Sequence, residues 1–262
     1  MTRDSNDVDA GSRMHVLDWL ESPRFLTDLR QFIKPTGLQI AEDSARQPKG
    51  RCDPGESDLA AFLTAEEHSN LRTWWLKHPK GSKLPTWDLA VSASTAEGTR
   101  ALVLAEAKAH ESELSDTGKQ LAVRAAEEQQ KRTNENHAQI GLAIAEASRA
   151  IARNHPGVSL SRDCSYQFCN RVAFAWKLAS MGIPVALLYI AFIGDSMIAA
   201  PGDFFVSEQE WDDAFFDHIQ GHFPADRVSR GIACGKASFW LIPHAMPVSR
   251  LSPPPGQRKT LR

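Results

Sequence analysis

The sequence predicts an α/β (α+β) fold in which a mixed central sheet is flanked by helices. Residues 85–110, PTWDLAVSASTAEGTRALVLAEAKAH, contain two apolar, partly alternating segments around a turn with Gly and Thr, which is typical of a β-hairpin. Residues 165–182 predict a helix that stops at a glycine. The segment after it, IPVALLYIAFIGD, is apolar throughout, as in a strand buried on both faces. A helix that leads into such a strand predicts a crossover within the same sheet.

The chain begins with a polar segment that lacks the apolar core of a signal peptide, and no later run has the about 18 to 20 apolar residues of a membrane span. We therefore expect a cytoplasmic protein with no membrane contact. Residues 14–33 predict two short amphipathic helices broken at Pro23. Residues 1–56 are interpreted as an N-terminal tail with a helical appendage.

A capping box predicts the next helix. Thr64 is the N-cap and Glu67 the third residue inside the helix, which runs to about His78. Glu67 lies one turn before Leu71 and faces the same side. Its carboxylate can close the capping box or extend toward the hairpin, and of these two we prefer the capping box.

Three charged residues lie in or next to the hairpin strands. Residues two apart in a strand face the same way, so Glu106 and Lys108 share one face while Ala105 and Ala107 lie on the other. Asp88 opens the first strand, and antiparallel pairing brings the start of one strand near the end of its partner. We therefore expect Asp88 to lie close to Glu106, with Lys108 beside them.

Two carboxylates and a lysine suit metal-assisted hydrolysis of a phosphodiester. The acids can hold Mg²⁺ or Mn²⁺ together with waters and phosphate oxygens, and the ammonium can orient a water or stabilise charge. The alternative is structural, with Asp88 as a turn residue and Glu106 and Lys108 as a solvated pair. The strand around the pair is built from Ala, Leu and Val, where an unpaired charge is costly, and this favours the functional interpretation.

These residues resemble the PD-(D/E)xK nuclease superfamily, which has the restriction-endonuclease-like fold. Asp88 matches the first acid and Glu106, Ala107 and Lys108 match the ExK tripeptide, while Trp87 stands in place of the proline. The resemblance implies that Asp88, Glu106 and the Ala107 carbonyl bind the metal and that Lys108 lies beside the attacking water. It covers residues 57–195. We interpret 57–247 as a nuclease-like core with a C-terminal extension of the sheet.

The resemblance also implies supporting residues. Members of the family often take an extra acid from the helix before the hairpin, which indicates Glu67, and some place a Gln or Tyr from the helix after it near the metal. Tyr166, Gln167, Asn170 and Arg171 occupy the N-terminal half of that second helix, where backbone N–H groups favour phosphate. Interior hydrogen bonds for Tyr166 and Asn170, and a surface salt bridge for Arg171, are the alternatives.

The elements between and after these segments complete the expected core. The usual family core has one more strand, and the sequence shows no clear strand between the helix of Glu67 and Asp88. After the hairpin we expect a polar loop and an exposed helix. Residues 137–153 then carry an apolar stripe that predicts a separate core helix.

The C-terminal part predicts an amphipathic helix with Ser207 as its N-cap and a last strand, ASFWLIPHA. His218 and His222 are four residues apart, but no HExxH motif or cysteine pair accompanies them. We therefore prefer a solvated helix end to a zinc site. Residues 248–262 are Pro-rich and basic, which is typical of a disordered tail.

Composition limits the classes of partner. The formal net charge of -2 excludes an overall basic surface, so any contact with nucleic acid requires a local patch. The four cysteines form no CxxC pair, and we expect reduced thiols in a cytosolic protein.

The sequence thus predicts a Mg²⁺-dependent nuclease that cleaves DNA, with defence or repair as its setting. A preference for RNA and a homodimer stay open. The alternative of a different class is a catalytically inactive nucleic-acid-binding or assembly protein on the same fold. A glycosidase with Asp88 and Glu106 as its carboxylate pair is a third alternative, against which Lys108 argues.

Overall fold

The computed structural model describes residues 11–195 and 204–250 of the 262-residue chain. A mixed sheet with helices on both faces forms the molecule, which confirms the predicted fold class. Its strands are β1 (Arg46–Gln47), β2 (Leu89–Ser94), β3 (Arg100–Lys108), β4 (Val185–Ile193), β5 (Ile232–Ala233) and β6 (Ser238–Pro247). Their order across the sheet is β1-β2-β3-β4-β6-β5.

The predicted hairpin consists of β2 and β3 and lies near the centre of the sheet. The two strands are antiparallel, with Leu89 opposite Ala105. The Thr95 N–H donates to the Thr99 carbonyl at the turn, where Gly98 has a φ of +80° that glycine adopts without strain. Strand β4 runs parallel to β3 on its other side, and β6 runs parallel to β4. The expected strand beside the hairpin is therefore confirmed.

Within the described residues, six helices cover the sheet. Two precede β1 and lie on one face, and the other four lie on the opposite face. They are α1 (Gly11–Glu21), α2 (Phe25–Phe32), α3 (Ala65–Trp75), α4 (Glu127–Ala152), α5 (Tyr166–Ser180) and α6 (Glu208–Ile219).

Helices α1 and α2 form part of the core, although the sequence places them in an appendage. Leu17, Trp19 and Leu29 are buried in one apolar cluster with Val103 and Ala105 of β3. An amphipathic stripe indicates that a helix packs on something apolar, but it does not identify the partner. The packing therefore shows no break after residue 56. Residues 1–10 and most of the predicted tail, 251–262, lie outside the described residues.

The opposite face of the sheet carries the charged residues of β3. Leu102 and Leu104 point into the apolar cluster formed with α3 to α6, where they share a layer with Phe174 of α5. Glu106 and Lys108 follow in the same row of the strand, because residues two apart share a face. The acid and the base therefore lie beneath a helical layer.

The edge of the sheet beside β2 is formed by a strand that the sequence does not indicate. Arg46 of β1 lies opposite Val91, and β1 is only two residues long. A strand of this length has no alternation to detect. The described chain has no strand between α3 and β2, in agreement with the sequence.

Helix α4 joins the predicted exposed helix and the predicted core helix into one element of 26 residues. Residues 127–139 are exposed or half-buried, so they carry no apolar stripe, and Ile140, Ile144 and Ile151 supply the buried face of the second half. All four cysteines are free, as expected. In 11–195 and 204–250 no helix combines the length and apolar character that crossing a bilayer requires.

Candidate active site

Asp88 and Glu106 meet at the same end of the hairpin. Leu89 lies opposite Ala105, so the next positions outward, Asp88 and Glu106, are neighbours on adjacent strands. The Asp88 Oδ2 atom accepts a hydrogen bond of 2.8 Å from the backbone N–H of Ala107. The structure therefore brings Asp88 to the ExK tripeptide of β3, as the sequence predicts.

Glu106 is surrounded by donors. Its Oε1 atom accepts a hydrogen bond of 2.8 Å from Lys108 Nζ and one of 2.5 Å from Gln167 Nε2. Its Oε2 atom accepts one of 2.6 Å from Arg171 Nε. The carboxylate thus engages two cations and an amide, which offsets the cost of burying its charge.

Gln167 closes a ring with the acid and the base. Its Oε1 atom accepts a hydrogen bond of 2.9 Å from Lys108 Nζ, while its amide nitrogen donates to Glu106. Glu106 and Lys108 are only 2% and 3% exposed, so this ring separates them from solvent. Gln167 therefore lies between this pair and the cleft that its own side chain lines.

Arg171 lies one helical turn after Gln167 on α5, and this spacing directs both side chains to β3. Its Nη2 atom donates to the Thr86 carbonyl at 2.8 Å and its Nη1 atom to Asn170 Oδ1 at 3.3 Å. The guanidinium also lies over the Trp87 ring at 4.5 Å. Arg171 is buried, so the surface salt bridge considered from the sequence is not what the structure shows.

The two carboxylates have different pKa values because their surroundings differ. Burial raises the pKa of Asp88 to about 7, and the negative charge of Glu106 adds to the effect. Burial also raises the pKa of Glu106, but Arg171 and Lys108 outweigh it and lower this pKa to about 2. At neutral pH Glu106 is ionised, whereas the raised pKa of Asp88 favours its protonated form more than in an exposed aspartate.

Tyr166 and Asn170 line a cleft of about 430 Å³ next to the acid pair, whose wall also includes Gln167 and Arg171. Tyr166 is half-buried, and Lys119 Nζ lies 4.6 Å from the centre of its ring. Burial raises the pKa of the Tyr166 hydroxyl. These two residues therefore border the site, whereas Gln167 and Arg171 contact the carboxylate itself.

Glu67 does not join the site. It closes the capping box, with the Thr64 N–H donating to its Oε2 atom at 2.8 Å, and its Oε1 atom accepts a bond of 2.5 Å from Arg100. Arg100 is the first residue of β3 and Glu106 the seventh, so the residue that Glu67 contacts lies about 20 Å along the strand from Glu106, at roughly 3.3 Å per residue. The implied role as an extra acid is thus not supported, because α3 starts over the wrong end of β3.

Tyr189 is a polar residue of the site that the sequence analysis missed. It lies opposite Glu106 in the register of β3 and β4 and is 1% exposed. Its hydroxyl has no hydrogen-bond partner among the described residues. Burial, followed by the charge of Glu106, raises its pKa well above the usual range. The only signal in the sequence is a single hydroxyl in an otherwise apolar strand.

His218 at the end of α6 and His222 just after it have separate partners. His218 Nδ1 contacts Asp116 Oδ1 at 3.1 Å, whereas His222 Nδ1 contacts the Ser159 carbonyl at 2.9 Å. The His218 ring is only 5% exposed and packs edge-on against Phe168, so the expected solvated helix end is wrong for this residue.

The donor set at Asp88 and Glu106 fits a small hard cation, with one condition. Mg²⁺ commonly uses one or two carboxylates and fills its shell with waters and phosphate oxygens. The Asp88 Oδ1 atom accepts no hydrogen bond from any described residue. The N–H and carbonyl of one strand residue point to the same side, and the Ala107 N–H donates to Asp88, so strand geometry puts the Ala107 carbonyl on the side of Asp88. Glu106 could bind the cation only if one of its carboxylate oxygens lost its hydrogen bond from Arg171, Gln167 or Lys108.

The carboxylate pair stands without a third metal-type ligand. Throughout the part of the chain that the structure describes, no three His, Cys, Asp or Glu side chains come together in a group that could hold a metal ion. A cation here would therefore depend on two carboxylates and a carbonyl.

Comparison of the chain with family models, with curated proteins and with solved structures found no match.

Proposed function

We propose that the protein is a metal-dependent nuclease that hydrolyses phosphodiester bonds of DNA, built on a restriction-endonuclease-like core. The observation that carries the proposal is the meeting of Asp88, Glu106 and Lys108 at the end of two adjacent strands, inside a layer that is otherwise apolar. Burying three ionisable groups together is costly, and such clusters occur mainly at functional sites.

The topology supports this proposal. An antiparallel hairpin is followed by a helical crossover into the parallel strand β4, and the acids lie on the hairpin. Two features differ from the family pattern: the extra edge strand is only two residues long, and it precedes α3 in the chain.

Asp88, Glu106 and the Ala107 carbonyl would hold Mg²⁺ or Mn²⁺. When bound, such a cation neutralises charge on the phosphate and lowers the pKa of a bound water. Lys108 Nζ is fixed by Glu106 and Gln167, so its ammonium is preorganised to orient the attacking water and to stabilise negative charge in the transition state. Arg171 supplies a second buried positive charge beside the cleft.

A catalytically inactive nucleic-acid-binding protein is the second candidate. The observation that favours it is that every polar atom of the Glu106 carboxylate already has a partner inside the protein. A glycosidase is less well supported, because its carboxylate pair needs no lysine, whereas here Lys108 donates a hydrogen bond to Glu106.

The test is cleavage of linear, circular and single-stranded DNA with Mg²⁺, Mn²⁺ or EDTA. We expect cleavage by the wild type with either metal and none in EDTA. Asp88→Ala should reduce the rate by about 100-fold or more, whereas Asp43→Asn, at an exposed carboxylate far along the chain, should not change it.

No cleavage of any substrate with either metal would favour the binding protein. Cleavage that persists in EDTA, or at the wild-type rate in Asp88→Ala, would exclude these residues as the catalytic centre.

A further inference from the structure

Two adjoining clefts lead away from the candidate active site. The inner cleft, of about 430 Å³, has Gln167 and Arg171 at its end next to Glu106. The outer cleft, of about 420 Å³, lies between the loop after α3, the loop before α4 and residues 133–140 of α4, and Arg124 is in its wall. Both clefts include Lys83 and Lys119 in their walls. We call the two clefts together the basic groove.

Among the described residues, the charged side chains that line the basic groove are all positively charged. Its walls contain four cations, Lys83, Lys119, Arg124 and Arg171, and none of the described residues that line either cleft is acidic. In the whole chain, 32 acidic residues outnumber 30 basic ones, so this composition differs from the average surface. The groove therefore attracts anions on a protein that has no overall positive charge.

Three of these cations have no internal counter-ion. None of the ion pairs among the described residues involves Lys83, Lys119 or Arg124. Lys119 is half-buried, and burial lowers its pKa, so holding its charge there without a carboxylate has a cost. An anionic ligand would remove that cost.

Lys119 brings a positive charge next to an aromatic ring. Its ammonium lies over the ring of Tyr166, which lines the inner cleft beside the amides of Gln167 and Asn170. Sites for single-stranded nucleic acid combine a cationic groove that follows the backbone with aromatic rings on which bases stack.

We propose that the basic groove binds a single strand of nucleic acid and leads it to the acid pair. Each cleft has a volume within the range of about 300 to 1,000 Å³ for a pocket that holds one small ligand, which matches a single nucleotide better than a stretch of double helix. Glu106 and Lys108 lie behind Gln167, so a thin chain can approach them more closely than a duplex can. The proposal deepens the proposed function, because it specifies the substrate of the same site.

The test measures binding without cleavage. Fluorescence anisotropy in EDTA would compare a labelled single-stranded DNA, an RNA of the same sequence and the DNA duplex. We expect the better of the two single strands to bind about tenfold or more tightly than the duplex. The DNA and RNA arms decide which sugar the groove prefers.

Lys83→Ala and Arg124→Ala should each weaken binding of the single strand. Each should also reduce the slope of log Kd against log salt by about 0.7, the value for one lost phosphate contact on a single strand. Both side chains are exposed, so neither substitution threatens folding. Lys236→Ala, at an exposed lysine outside the groove, is the matched control and should bind as the wild type does.

Equal binding of duplex and single strand, or wild-type binding by both groove variants, would overturn the groove proposal even if the protein cleaves DNA. Single-strand binding that depends on Lys83 and Arg124, in a protein that cleaves nothing with Mg²⁺ or Mn²⁺, would keep the groove and overturn the nuclease.

Discussion

Arg171 Nε lies 2.6 Å from Oε2 of Glu106, and both side chains are more than nine-tenths buried. The two residues are 65 positions apart in the chain, on α5 and β3. The pair therefore fastens the helix to the sheet at the point where the proposed chemistry occurs. Its electrostatic effect is to keep Glu106 ionised inside an apolar layer.

Arg171→Ala should destabilise the protein by about 3 kcal/mol or more, because it leaves a buried carboxylate with fewer donors. Lys177→Ala, on the same helix, is the matched control and should cost about 1 kcal/mol or less, since that ammonium contributes mainly to a contact with Trp74. The measurement is urea denaturation. In the Glu106→Gln background, Arg171→Ala should cost less than in the wild type, and an equal cost would show that the pair is not coupled.

Lys108→Ala should reduce DNA cleavage by about 100-fold or more, because the ammonium is expected to stabilise charge in the transition state. Binding of Mn²⁺, measured by calorimetry, should persist because both carboxylates remain. A variant that loses metal binding together with activity would assign Lys108 a structural role. Lys236→Ala again provides a lysine outside the site, and it should leave both quantities unchanged.

The local part of the site was predictable from the sequence because it depends on strand periodicity. Alternation places Glu106 and Lys108 on one face, and hairpin pairing brings Asp88 alongside, and both relationships hold. These contacts involve residues close in the chain or in directly paired strands. The apolar residues around Glu106 and Lys108 indicate a functional site, because an unpaired charge among them would be costly.

The nonlocal part was not predictable. The sequence identified Gln167 and Arg171 as candidates, but it could not show that one bonds both Glu106 and Lys108 or that the other is buried against Glu106, since these contacts depend on how α5 packs. For the same reason the packing of α1 and α2 on the sheet was missed. Periodicity reports which face of an element is buried, not what covers it.

Asp88 should make the stability of the metal-free protein decrease as the pH rises from about 4 to 7. Its pKa increases from the ordinary 3.8 to about 7, so in this range the folded protein binds a proton that the unfolded chain releases. Glu106 has the opposite sign, because its lowered pKa contributes stability that is lost as the pH falls from about 4.5 toward 2.

Asp88→Asn should therefore remove the decrease above pH 4 and leave the loss below pH 4 in place. The slope for the wild type can reach at most about 1.4 kcal/mol per pH unit from this single group. The measurement is the free energy of unfolding in urea at several pH values in EDTA. If wild type and Asp88→Asn have parallel curves between pH 4 and 7, the pKa of Asp88 is not raised.

Tyr189→Phe should increase the free energy of unfolding by about 1 kcal/mol. The hydroxyl is buried without a partner among the described residues, and an unsatisfied polar group has a desolvation cost that phenylalanine does not have. The ring keeps its contacts with Phe168 and Phe215. A loss of stability in urea denaturation would instead indicate that the hydroxyl has a bound water as its partner.

Glu67→Ala distinguishes a capping residue from a catalytic one. The substitution removes the Glu67 half of the capping box and the contact with Arg100, so the free energy of unfolding should fall by about 1 kcal/mol. The rate of DNA cleavage should not change, because α3 places this carboxylate at the far end of β3 from Asp88 and Glu106.

Thr64→Ala is the matched variant, since it removes the other half of the same capping box and carries no carboxylate. We expect a loss of stability in Glu67→Ala that is at least as large as in Thr64→Ala, because only the first variant also loses the Arg100 contact, and wild-type cleavage in both. A slower rate in Glu67→Ala alone would return this acid to the active site.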